Sequence, residues 1–218
     1  MPHLVDLGHR ELGEVVTDHR SSWLRRMPHG SGAFYVKTYD FPTWKSRLAA
    51  VWRRPAALLR SRAEREFEAL QWLRKHGFAA PEPIAAMTWR KAGLVRRAIL
   101  VTRAQPGQPI DRLLSQLPAP DQRSLVEALA RFVVALHAAG FRDRNLDLRN
   151  LLATADGGHW QIAKLDSPRF RLRPPGRDDD RLARADWQRL LPQLPGELAA
   201  VARAAAQESR QRSASSEG

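Results

Sequence analysis

Phe141-Arg142-Asp143-Arg144-Asn145-Leu146-Asp147-Leu148-Arg149-Asn150-Leu151-Leu152 is the stretch that decides how this chain is read. It holds two aspartates, three arginines and both asparagines of the protein. Upstream, Leu125, Val126, Leu129, Phe132, Val133 and Leu136 recur at helical spacing, which predicts a helix from Asp121 to Ala139 with a wide apolar stripe. Asp121 is its expected N-cap and Gly140 its stop. His137 on this helix reads as a core or edge histidine rather than a ligand. Downstream, Leu151 to Ala153 and His159 to Leu165 flank Asp156-Gly157-Gly158, a hairpin signal. The second strand runs into Asp166, and Pro168 prevents its continuation.

Such a hairpin would set Asn150 and Asp166 side by side, one amide oxygen and one carboxylate. Hard oxygen donors suit Mg²⁺, which shares its coordination with phosphate groups. The alternative is structural: Asn150 caps a turn and Asp166 ends a strand.

The first half of the chain reads mainly as strands. Glu14 to Thr17, Ser21 to Arg26, Ala33 to Tyr39, Met87 to Trp89 and Leu94 to Thr102 carry strand patterning, and residues 27–32 are turn-forming, with Gly30 and Gly32. Lys37 sits inside a strand. It either faces solvent or is a phosphate-binding cation on a rigid element below a glycine-containing turn. Ser61 to His76 predicts a helix with Ala63, Phe67, Leu70 and Leu73 on one face and Gly77 as its stop. One glutamate of that helix would pair with Lys37 if the helix packs on the sheet. Residues 41–62 interleave tryptophan with basic residues, which suits a membrane interface or a helix packed on its own domain with its arginines in water. Residues 104–109 are a turn-rich linker, so the expected division is 1–103, mainly strands with one helix, and 104–206, mainly helices. Within the second part, Ile110 to Leu117, Arg177 to Leu194 and Gly196 to Ala206 read as further helices. Residues 207–218 are polar and Ser-rich and read as a disordered tail.

Composition narrows the function. The 218 residues include no cysteine, which excludes disulfides, Cys-ligated zinc and thiol catalysis. The seven histidines show no metal-type spacing. No apolar run is long enough to span a bilayer and the opening residues lack the apolar core of a signal peptide, so the expected address is cytoplasmic. The net charge of +13 favours anionic partners. No nucleic-acid motif is present, so nucleic acid is not the expected one.

The ordered set of motifs resembles the lipopolysaccharide core kinases of bacteria, the Kdo and heptose kinase family. It consists of Phe34-Tyr35-Val36-Lys37, the run from Arg65 to Gly77, Leu136 to Leu152, and Ala163 to Phe170. The resemblance implies an α+β, protein-kinase-like fold of two lobes, a small mainly β N-lobe and a reduced helical C-lobe. It implies ATP between the lobes, Lys37 on the α- and β-phosphates with Glu66 as its partner, and Asn150 and Asp166 as Mg²⁺ ligands. Gly30 and Gly32 stand where a glycine-rich loop would lie, and Thr102 begins the hinge beside adenine. The implied acceptor is a sugar hydroxyl of the lipopolysaccharide core or another anionic glycolipid, met at the inner face of the cytoplasmic membrane.

The sequence departs from the family's pattern at one position. Kinase loops place an aspartate five residues before the metal-binding asparagine, and here that residue is Asn145. An amide can orient a hydroxyl but cannot take its proton. Three readings stay open: Asp143 or Asp147 supplies the carboxylate from a shifted loop, transfer proceeds by positioning alone, or the protein is a pseudokinase that binds nucleotide or glycolipid without transfer.

Overall fold

β-Branched and aromatic residues between positions 14 and 103 build a five-stranded antiparallel sheet. Its strands are β1 (Glu14–His19), β2 (Ser22–His29), β3 (Gly32–Asp40), β4 (Pro83–Lys91) and β5 (Leu94–Arg103), in the order β1-β2-β3-β5-β4. The computed structural model describes residues 11–53, 60–176 and 180–216. β2 and β3 meet in a tight turn of Gly30 and Ser31, with His29 opposite Gly32, so Met27 and Pro28 belong to the strand and not to the turn. Gly30 has φ +56°, the left-handed conformation such turns require. Val36, Ile99 and Val101 form the buried centre of one sheet face.

Helices α1 (Trp44–Arg53) and α2 (Arg62–Lys75) belong to the same part of the chain. Ser61 and Glu64 close a capping box on α2: Glu64 N donates to Ser61 Oγ at 3.2 Å, and Ser61 N donates to the Glu64 carboxylate at 2.6 Å. The buried face of α2 is Ala63, Glu66, Ala69, Leu70 and Leu73, so Glu66 takes the inward position expected of Phe67. In α1, Arg47 is buried and donates to the Phe41 and Pro42 carbonyls, whereas Trp44 and Leu48 are exposed. Arg47 thus departs from the packed-helix expectation of arginines in water, whereas Lys45 and Arg60 are exposed. Residues 54–59 of the basic segment lie outside the described residues.

Two compact units result, one of Met1–Arg74 and Pro81–Gln105, the other of Lys75–Ala80 and Pro106–Gly218. The second contains β6 (Gln108–Pro109), α3 (Ile110–Gln116), α4 (Ala119–Ala138), β7 (Phe141–Arg142), β8 (Leu151–Asp156), β9 (His159–Lys164), β10 (Arg171–Leu172), α5 (Arg181–Leu190) and α6 (Gly196–Ser216). Leu125, Val126, Leu129 and Val133 of α4 are fully buried, each contributing about 1.5–3 kcal/mol of burial free energy. α4 begins at Ala119, so Asp121 lies in its first turn, its N–H donating to the Pro118 carbonyl, and is not the cap. Ala199, Ala202, Ala205 and Ala206 of α6 join the same core. The polar segment from Gln207, expected to be a disordered tail, continues α6 to Ser216. Residues 177–179, expected to start the helix before α6, lie outside the described residues; that helix is α5, capped by Asp180. Among the described residues no helix is long and apolar enough to cross a membrane.

Candidate functional site

In the first unit the sheet aims Lys37 at α2. β3 is flanked on both sides, Lys37 lying opposite Leu24 of β2 and Leu100 of β5, so its backbone is held rigidly. Its Nζ donates to Glu66 Oε1 at 2.9 Å and to Oε2 at 3.2 Å. Glu66 is buried and also accepts from the Tyr39 hydroxyl at 2.8 Å, which fixes the carboxylate. The lysine side chain keeps 22% of its surface, enough to meet an anion. Gly30 sits in the exposed β2–β3 turn and Gly32 opens β3 just after it, and a Cβ at Gly30 would meet nothing within 4 Å. Thr102 is half-buried on β5 opposite Tyr35, and the chain beyond it stays tied to both neighbouring strands through Arg103 N to Glu82 O and Ala104 N to Ala33 O.

In the second unit three charged residues clamp the N-terminal half of the decisive stretch. Arg142 is fully buried and donates to Asp180 at 3.0 Å and to the His137 carbonyl at 2.6 Å. Asp143 is fully buried, 3.2 Å from the Lys164 ammonium, which also donates to the Asp166 carbonyl at 3.0 Å. Burial pushes the Asp143 carboxyl above its ordinary value, against the opposing pull of Lys164 and the Ser167 hydroxyl. Asp186 of α5, itself buried, accepts from the Asp143 N–H at 3.0 Å and the Arg144 N–H at 2.8 Å, and lies 3.2 Å from His137 Nε2.

The C-terminal half is fixed differently. Asp147 caps a single turn of 3₁₀ helix over Leu148–Asn150, accepting from Arg149 N at 3.1 Å, and its two oxygens take both Arg149 Nε and Nη2. The Arg149 guanidinium, with the backbone bond, holds the Asp147 carboxyl below its ordinary value. Asn145 is half-buried, and its carbonyl accepts from Asn150 Nδ2 at 3.5 Å.

β8 and β9 pair with Leu151 opposite Lys164, and Leu165 N donates to the Asn150 carbonyl at 2.9 Å. The turn is Gly157 and Gly158, at φ +53° and +83°. This register sets Asn150 beside Leu165, the residue before Asp166. With the Asn150 amide nitrogen spent on Asn145, its oxygen is the end left for a cation. An amide oxygen and a carboxylate are the hard donors Mg²⁺ takes, and two of them suffice for an ion that completes its shell with water and phosphate. Among the described residues no cluster of three or more His, Asp or Glu residues competes for a metal.

The structure thus brings together Lys37 with Glu66, and Asn145 with Asn150, whose carbonyl takes the Leu165 N–H one residue before Asp166. It turns Asp143 away from solvent altogether. Sequence reasoning missed Asp186 and Lys164. Each carried a signal: Asp186 falls in register with Ala183 and Leu190 on the buried stripe of α5, and Lys164 follows Ile162 and Ala163 in a strand segment buried throughout. A charged residue in an apolar register is a residue with a buried partner.

A family model described as the lipopolysaccharide kinase (Kdo/WaaP) family matches residues 19–204. The structure is similar to a solved structure described as WaaP in complex with acyl carrier protein, with TM-score 0.63 and 19% sequence identity over 92% of this chain and 81% of that one. At that identity the likeness speaks for the fold: kinase-like, with a β-sheet N-terminal region and a helical C-terminal region. No curated protein sequence matches the chain. Matched by the family model over most of its length, the chain belongs to the lipopolysaccharide kinase (Kdo/WaaP) family.

Proposed function

We propose that this kinase-family protein uses ATP and Mg²⁺ to phosphorylate a sugar hydroxyl of the lipopolysaccharide core. The observation that carries the reading is the Lys37–Glu66 pair: a strand lysine held at 2.9 Å by a buried carboxylate and still open to an anion. Phosphoryl transfer asks the protein mainly for positioning and charge neutralisation. Lys37 supplies a fixed cation for nucleotide phosphates. Asn150 and Asp166 would hold Mg²⁺, which when bound neutralises charge on the transferring phosphoryl oxygens.

The acceptor hydroxyl falls to Asn145. Asp143 braces the loop from inside, since a sealed carboxylate cannot reach an incoming sugar. Asp147 is a weak base, held ionised by Arg149. Transfer then proceeds by orientation without a carboxylate base, and the missing general-base help slows it by a factor on the order of 10²–10⁴. The net charge of +13 and the exposed Trp44 and Leu48 of α1 support an anionic glycolipid acceptor and a place on the inner face of the cytoplasmic membrane.

A second reading is favoured by the same loop. Both of its carboxylates are already committed, to Lys164 and to Arg149, which suits a protein that binds nucleotide or anionic glycolipid without transfer. Incubation with labelled ATP, Mg²⁺ and rough-type lipopolysaccharide separates the two. The first reading expects label in the lipopolysaccharide and its loss in Asp166→Ala. No label, together with thermal stabilisation by ATP and Mg²⁺, establishes the second.

A further inference from the structure

Arginine dominates one cleft of the second unit. The cleft holds about 810 Å³ and is lined by Arg144, Arg169, Arg173, Arg181 and Arg189. They come from four places: the loop itself, the segment after β9, the residue after β10, and α5. Folding, and not a run of basic sequence, converges them. All five are exposed, and among the described residues none of their guanidinium groups is in an ion pair.

Among the described residues the acids in the lining are Asp180 and Asp186. Asp180 is taken by Arg142 and by the N–H groups of Leu182 and Ala183 at the start of α5. Asp186 is taken by His137 and by the backbone of Asp143 and Arg144. Among the described residues the cleft therefore presents five cations against two carboxylates already engaged. Its remaining lining is Pro174, Leu182 and Ala185, an apolar floor without an aromatic face on which a base would stack.

We propose that this cleft binds a phosphomonoester already carried by the glycan acceptor. Guanidinium forks match phosphate oxygens two at a time, which a lysine cannot do. Arg144 lies between Asp143 and Asn145, with its backbone pinned to Asp186, so an anion held by it sits beside the loop that meets the hydroxyl. The acceptor is then recognised by a phosphate it already bears, and the enzyme acts after another sugar phosphorylation. This assignment rests on the proposed phosphotransfer and adds to it the identity of the acceptor.

The test is equilibrium binding of deacylated rough-type lipopolysaccharide with its phosphomonoesters intact, against the same material stripped by alkaline phosphatase. The intact form is expected to bind at least tenfold tighter, as removal of charge-assisted hydrogen bonds implies. In Arg173→Gln/Arg181→Gln that preference should fall below threefold, while Arg173→Lys/Arg181→Lys keeps part of it. Both pairs are exposed, and an unchanged melting temperature confirms that the variants fold. Equal affinity for intact and stripped material, or a preference unchanged in the Gln variant, overturns the proposal. Displacement by inorganic phosphate at equimolar concentration overturns it too, since the cleft would then be a simple anion site. ATP and Mg²⁺ binding is titrated separately on the same proteins: its absence would sink the phosphotransfer reading while the two glycan arms stay readable.

Discussion

Asp143 and Lys164 are both fully buried, 3.2 Å apart, so the attraction between opposite charges offsets the cost of burying them. Asp143→Asn leaves a buried ammonium without its counter-charge and should cost about 3–5 kcal/mol. Lys164→Met should cost less, about 1–3 kcal/mol. Burial already pushes Asp143 upward, and without Lys164 its carboxyl takes a proton and becomes neutral. Urea unfolding of both variants at pH 7 measures this order, and the reverse order would contradict it. Asp147 behaves oppositely. Arg149 depresses its carboxyl, so its contribution is present above the ordinary aspartate value and is lost as pH falls through the depressed one. Asp147→Asn keeps a capping oxygen but loses the charge interaction, and should therefore destabilise by about 0.5 kcal/mol at pH 7, a small figure because Arg149 is largely exposed. The gap between variant and parent should close below about pH 4. A gap constant from pH 7 to pH 3 would show that the Asp147–Arg149 charge interaction does not contribute.

At the scale of elements, Gly140 joins α4 to β7 at φ +92°. A Cβ there would collide with the Arg173 carbonyl, while Arg173 N donates back to the Gly140 carbonyl at 2.8 Å. Gly157 shares the left-handed conformation, at φ +53°, but faces open space. Gly157→Ala should cost about 1 kcal/mol of backbone strain. Gly140→Ala should cost about 3 kcal/mol or more, since Arg173 or β7 must move as well. Chemical denaturation of the two variants side by side checks the difference. These contrasts also explain what could be read beforehand. The α4 stripe, the Gly157–Gly158 turn and the extent of α2 are local patterns, and each appears within a few residues of its expected place. The β7–β10 pairing is two residues long and joins positions about thirty apart, Phe141 with Leu172, so no periodicity announces it. The extension of α6 through Gln207 to Ser216 was hidden by polarity. Gln, Glu and Arg are good helix formers, and Arg212 pairs with Glu208 one turn away.

Across the whole molecule, each of the two units carries part of the candidate residue set. The first holds a cation on a rigid strand; the second holds oxygen donors on a hairpin and a loop clamped by buried charges. The hairpin between Asn150 and Asp166 could be read from the sequence because a hairpin register is a short-range property. The commitment of Asp143 could not, because its partner Lys164 and the anchor Asp186 lie 21 and 43 residues further on and meet it only after folding. The central claim is that Asn145 stands at the acceptor hydroxyl and orients it without taking its proton. The most direct test is the single-turnover rate of phosphoryl transfer to rough-type lipopolysaccharide for the parent protein and for Asn145→Asp. A slow but measurable parent rate, raised at least tenfold by the restored carboxylate, is the predicted result. A parent that transfers nothing, or a rate indifferent to Asn145→Asp, would contradict it.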